Sequence, residues 1–130
     1  MADFWRLARQ APAVDELESI VRKAVRRTGL MSFAQFDHGA ILRKETGRDR
    51  TRMVRVVMGN PLIMKEMAKH VPDAGSYAPV TVLVDERADG VHLPYDRMAS
   101  FLAQYGDVEA LAVARDLDEK VESPLRLAAA

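Results

Sequence analysis

The chain of 130 residues contains no cysteine. That excludes a disulfide framework, a thiolate nucleophile and any cysteine-ligated zinc or iron–sulfur cluster. An excess of one charge is missing too, since 19 lysines and arginines meet 19 acids. No overall field draws such a chain toward nucleic acid or an anionic lipid surface. Nor is there a long apolar run: none approaches the roughly 18 residues a membrane-spanning helix needs. The opening stretch MADFWRLARQ carries Asp3 and has no apolar core segment, so it does not read as a secretory signal. A cytoplasmic protein is the expectation. What remains, 48% hydrophobic and 29% charged, is the composition of one ordinary globular domain that can bury a core without staples.

Periodicity then divides the chain into alternating elements. FWRLARQ (4–10) reads as a short first strand. A helix follows Pro12, with Val14, Leu17, Val21, Ala24 and Val25 at helical spacing, acids in its first turn, bases in its last, and Gly29 as its terminator. LMSFAQF (30–36) is a strand, and a helical turn capped by Asp37 leads into the charged loop around Gly47. TRMVRVVM (51–58) alternates, placing Val54, Val56 and Met58 on one face and Met53, Arg55 and Val57 on the other. A helix from Pro61 turns Leu62, Ile63, Met67, Ala68 and Val71 inward and ends at Pro72 and Gly75. APVTVLVDE (78–86) and VHLPY (91–95) flank the turn Asp89-Gly90 as a hairpin. RMASFLAQYG (97–106) reads as a helix. Asp107 then caps a last one, VEALAVARDLDEK, before a frayed PLRLAAA tail.

The order is β-α-β-β-α-β-β-α plus a C-terminal helix. Short connections favour a largely antiparallel sheet backed by helices, an α+β two-layer fold. One domain is expected over 1–106, with 107–130 as a helical extension and tail.

Six motifs occur in order: Asp37-His38, Gly59-Asn60-Pro61, Pro79, Leu83-Val84, Asp89-Gly90 and Tyr95. In this order and spacing the segment from about Val14 to Gly106 resembles the domain-of-unknown-function family 302. The resemblance implies a TBP-like α+β fold that pairs into homodimers, and it implies no reaction. Where that family has a Gly-Leu and a proline before Gly-Asn-Pro, this chain has the charged ETGRDRTR. Its fourth strand opens Ala78-Pro79-Val80 rather than Leu-Pro-Leu, and the helix from 107 is an addition.

The candidate ligand-binding residues are Asp37, His38, Gly59, Asn60 and Tyr95. Asn60 at the cap and Pro61 at the first helical position make an ordinary helix start, and Gly59 reads as the permissive residue of a sharp strand-to-helix turn. The functional alternative is that backbone N–H groups there hold a small anionic ligand. No phosphate-loop pattern supports it, because further glycines and a Lys-Ser/Thr pair are missing. His38 at a strand end is a candidate acid–base or ligand, although its neighbour Asp37 points to the opposite face of an extended chain. His92 alternates away from Val91 and Leu93, and His70 sits at a helix end where a cation is favourable. No HExxH or paired His-x-His supports a metal, no cofactor is implied, and the five serines lack a nucleophile elbow. The basic stretch RKETGRDRTR (43–52) has no interleaved aromatics, so nucleic acid is not an expected partner. Met53, Met58, Met64 and Met67 suit a core or a dimer seam. On the last helix Val108, Leu111, Ala112 and Leu117 form an apolar stripe, for a subunit interface or for packing on its own domain.

Two functions from different classes follow. The first is a dimeric, non-catalytic module that binds a ligand or partner between the Gly59–Pro61 turn, Asp37-His38 and Tyr95. The second is an enzyme using His38 as acid–base and the helix start as an anion site. The lack of a nucleophile, a metal set or a carboxylate pair favours the first.

Overall fold

A computed structural model describes residues 29–47 and 52–129. The expected first strand (4–10) and first helix lie outside the described residues, as does part of the basic loop.

Four strands form one sheet in the order of the chain: β1 (Met31–Asp37), β2 (Met53–Gly59), β3 (Val80–Arg87) and β4 (Gly90–His92). All three pairings are antiparallel. The register sets Val54 opposite Val84, Val56 opposite Val82 and Met58 opposite Val80. Because side chains alternate along a strand, these pairs share one face, and Arg55, Val57, Thr81 and Leu83 share the other. The first face carries the core. The β1–β2 register shifts between Ser32 and Ala34, so Phe33 is an extra residue in an edge strand.

Helices cover the core face. α1 (His38–Thr46) fills the segment expected to be a single helical turn. Asp37 starts it by accepting from Ala40 N–H at 3.1 Å, and Gly47, at φ 67°, ends it in the left-handed conformation that glycine adopts without strain. α2 (Pro61–Ala68) is followed by a 3-10 turn, Pro72–Ser76. α3 (Met98–Leu102) is shorter than the helix read over 97–106, whose remainder is the 3-10 turn Ala103–Tyr105. The fourth strand is also shorter than VHLPY, although Tyr95 still bridges to Val82.

α4 (Val108–Ala129) is capped by Asp107, which accepts from Ala110 N–H at 2.8 Å. The expected frayed tail is instead helical through Pro124, and half-buried Leu125 beyond the proline packs against the core. The apolar stripe also turns out rotated. Ala110, Ala114, Leu117 and Val121 are buried, while Val108 is 81% exposed and Ala112 is exposed. Alanines at 110 and 114 let the helix lie close to α2 and α3. With Met67, Val71, Met98 and Leu102 these residues close one core over Val80, Val82 and Met58.

Candidate functional site

The junction of β2 and α2 holds a strongly apolar recess. Asn60 organises it. Its Oδ1 accepts from Leu62 N–H at 2.9 Å, and its Nδ2 donates to the Gly29 carbonyl at 3.1 Å. Ile63 and Met64 N–H both donate to the Asn60 carbonyl, and Pro61 has no N–H to offer. Every donor that an anion would use at this helix start therefore already has a partner. The alternative of an anion site between Gly59 and Pro61 meets N–H groups that the cap already engages, as the plain helix start predicts.

Gly59 has a different role from the one its sequence context suggests. It is the last residue of β2, and it is not among the glycines with positive φ. A Cβ built on it would meet Pro79 Cβ at 3.5 Å and Phe33 Cε2 at 3.7 Å, which are ordinary contacts. The backbone does not require glycine here. What its missing side chain leaves is room.

That room is a cleft of about 130 Å³. Phe33 reaches it from the bulge of β1, Met64 and Met67 from α2, Pro79 from the approach to β3, and Leu117 from α4. None of the lining residues is titratable, and the one polar side chain, Asn60, has both ends engaged. Such a wall offers dispersion and exclusion of water, and no charge. An engineered apolar cavity of about 150 Å³ takes up benzene in preference to water.

The other sequence candidates lie elsewhere. Met31 pairs with Gly59, whereas Asp37 pairs with Val54 at the far end of the same ladder. Six residue steps of a strand put the two motifs about 20 Å apart. Asp37 caps α1 and pairs with Arg43 at 3.1 Å. His38 is exposed and stacks on Phe36, with ring centroids 6.2 Å apart. His70 pairs with Glu109 at 3.0 Å and His92 with Asp89 at 2.7 Å. Of the five candidates, only Gly59 and Asn60 line the cleft.

Tyr95 belongs to a separate buried network. Its hydroxyl donates to Asp118 Oδ1 at 2.6 Å, and the same carboxylate accepts from Met98 N–H at 2.7 Å and Ala99 N–H at 3.0 Å. Asp118 is 5% exposed. Burial, and then the neighbouring carboxylate, hold the Tyr95 phenol well above its ordinary range, so it stays a donor. Among the described residues no group of three or more His, Asp or Glu side chains could hold a metal ion, and no helix is long and apolar enough to cross a membrane.

The cleft was only partly visible in sequence. Gly-Asn-Pro marks its edge, whereas Met64 and Met67 read as core or dimer seam, Leu117 as part of a helical stripe and Phe33 as a strand residue, because tertiary packing alone brings them to Gly59.

Comparison with known proteins agrees with this architecture. The family model described as domain of unknown function DUF302 matches residues 8–126. The crystal structure of the uncharacterized conserved protein DUF302 from Bacillus stearothermophilus is similar, with a TM-score of 0.65 and 14% identity, over 85% of this chain and 87% of that one. At that identity the likeness speaks to the fold alone. No curated protein matches.

Proposed function

Because the chain belongs to the family of domains of unknown function DUF302, whose description names no reaction, we propose from its own geometry that it is a non-catalytic module binding a small apolar or aromatic ligand. The observation that carries this reading is the cleft beside Gly59, apolar on every side and with its single polar side chain already engaged. A benzene-sized group burying about 150 Å² at about 25 cal/mol/Å² gains roughly 4 kcal/mol, which corresponds to millimolar affinity for the bare ring. A ligand with further contacts outside the cleft binds more tightly.

The finer part of the proposal is a cytoplasmic homodimer. The lack of cysteine suits a reducing compartment. Val108 at 81% and Leu127 at 78% exposure are single apolar positions near the two ends of α4, so the dimer rests on the pairing that the family resemblance implies.

The test uses benzene as the probe and the methyl resonances of Met64 and Met67 as reporters. Saturable shifts of both are expected in the wild type. Gly59→Ala adds a methyl at ordinary contact distance from Pro79 and Phe33, so it fills the cleft without straining the fold, and the affinity should fall about tenfold. Unmoved methionine methyls, or equal binding by the variant, would reject the reading. Native mass spectrometry on the same sample reads the dimer, and a bare monomer would remove that part.

A further inference from the structure

The opposite face of the sheet carries a second concavity with a different chemistry. Arg55 stands at the centre of β2 on this face, directly across from Phe36, and its guanidinium lies 5.6 Å from the centre of the Phe36 ring. Nε and Nη2 of Arg55 each donate to Thr81 Oγ1 at 3.1 Å. The ring below and the hydroxyl beside it hold the guanidinium in place. No carboxylate pairs with it among the described residues.

The remaining valences define what the site wants. A guanidinium has five N–H donors, two of which are used on Thr81, so three stay free. Thr81 Oγ1 accepts from Arg55 twice and keeps its own O–H to donate. The pair thus keeps four donors, three of them on the guanidinium edge turned away from Thr81. That is the complement of an oxyanion, and arginine matches a carboxylate in two-pronged fashion.

A groove of about 430 Å³ runs from this pair, within the size range of small-molecule sites. Leu83 and Pro94 line it, and its far wall is Phe101 stacked on Tyr77, with centroids 5.1 Å apart at 10°. Asp96 also lines the groove, and no ion pair joins it to Arg55. A carboxylate there repels any anion, a doubly charged one more strongly than a singly charged one.

We infer that this groove binds a small monocarboxylate with an aromatic or apolar body. The carboxylate sits on the free edge of Arg55, which Thr81 holds from the other edge, and the body lies against the Tyr77–Phe101 wall. The groove shares Pro79 and Val80 with the wall of the cleft beside Gly59, but its anchor is separate, because Arg55, Thr81 and Leu83 project from the face opposite Val80 and Met58.

Calorimetric titration of the full chain with sodium 3-phenylpropanoate tests this at low salt. Saturable binding is expected, weakening as salt is added. The neutral analogue 3-phenylpropan-1-ol should bind at least about tenfold more weakly, and inorganic phosphate likewise. Arg55→Met should lower the affinity about tenfold or more with an unchanged melting temperature. Arg55→Lys keeps the charge without the fork, so it should recover only part of that loss. Gly59→Ala should have no effect on this ligand. Absence of binding by the wild type, or equal affinity in Arg55→Met, overturns the inference. So does self-association that Arg55→Met abolishes, since it would assign the face to a second copy of the chain.

Discussion

Replacing Asp118 by alanine is the most demanding test of how this fold is held. α3 has only five residues, and Arg97 before it supplies no side-chain cap. Its first N–H groups are satisfied from outside the helix by a carboxylate on α4. Removing that carboxylate leaves three donors without their acceptor: Met98 N–H, Ala99 N–H and the Tyr95 hydroxyl. An unsatisfied buried donor costs about 1–3 kcal/mol. Met98 is fully buried and lies at the high end of that range, while Ala99 and Tyr95 are half-buried and can recruit water. The sum is about 3–4 kcal/mol, a large share of the roughly 5–15 kcal/mol that stabilises a typical domain. Asp118→Asn retains Oδ1 but sets an amide against Ala99 N–H, at about 1–2 kcal/mol. Tyr95→Phe removes a donor and orphans nothing, at about 1 kcal/mol. Urea denaturation should therefore rank the variants Ala, Asn, Phe in falling severity. Hydrogen exchange should show Met98 and Ala99 amides losing protection first in Asp118→Ala. If that variant lies within about 0.5 kcal/mol of wild type, or those two amides keep their protection, Asp118 is not what holds α3 in place.

Two further outcomes follow from local geometry. Asn60→Ala removes both the α2 cap and the tie to the Gly29 carbonyl, so urea denaturation should show a loss of about 1–2 kcal/mol. Tyr95 titrates above its ordinary value in the folded chain, so the folded state holds that proton more firmly than the unfolded state does. Its stabilising contribution should be intact below the unfolded phenol pKa of about 10 and fall as pH rises above it. Denaturation midpoints from pH 8 upward read this as a decline that Tyr95→Phe reduces, and an unchanged decline would remove Tyr95 from the account.

Helix starts were legible in the sequence because their chemistry is local. Asp37, Asn60 and Asp107 each cap the element they precede, over three residues or fewer. Strand faces were legible for the same reason: alternation in TRMVRVVM already separates Val56 from Arg55. Contacts across the fold were not. Asp118 lies 23 residues from Tyr95 and Phe33 lies 84 from Leu117, and no periodicity links either pair. Gly59 was misjudged because a glycine between strand and helix resembles a conformational device, when here it is a missing volume. The segment PLRLAAA reads as a frayed tail in sequence, and proline disfavours helix interiors by about 3 kcal/mol. The structure shows Leu125 on the core and Arg126 bonded to Glu119 and Glu122, contacts that hold the helix past that point.

The strands pair in the order in which they are written, so during synthesis each finds its neighbour soon after it emerges. The layer that covers them does not arrive on the same schedule. Ala110, Ala114, Leu117 and Val121 all come from α4, which is made after the other described elements. At about 5–20 residues per second, the interval between Val80 and Val121 is a matter of seconds. For that time Val80, Val82 and Met58 form a half-covered greasy plate on a ribosome-bound chain, with Met67, Val71, Met98 and Leu102 but not α4 to close it. Adjacent nascent copies, or whatever chaperone stands at the tunnel mouth, meet that plate before the protein's own helix does.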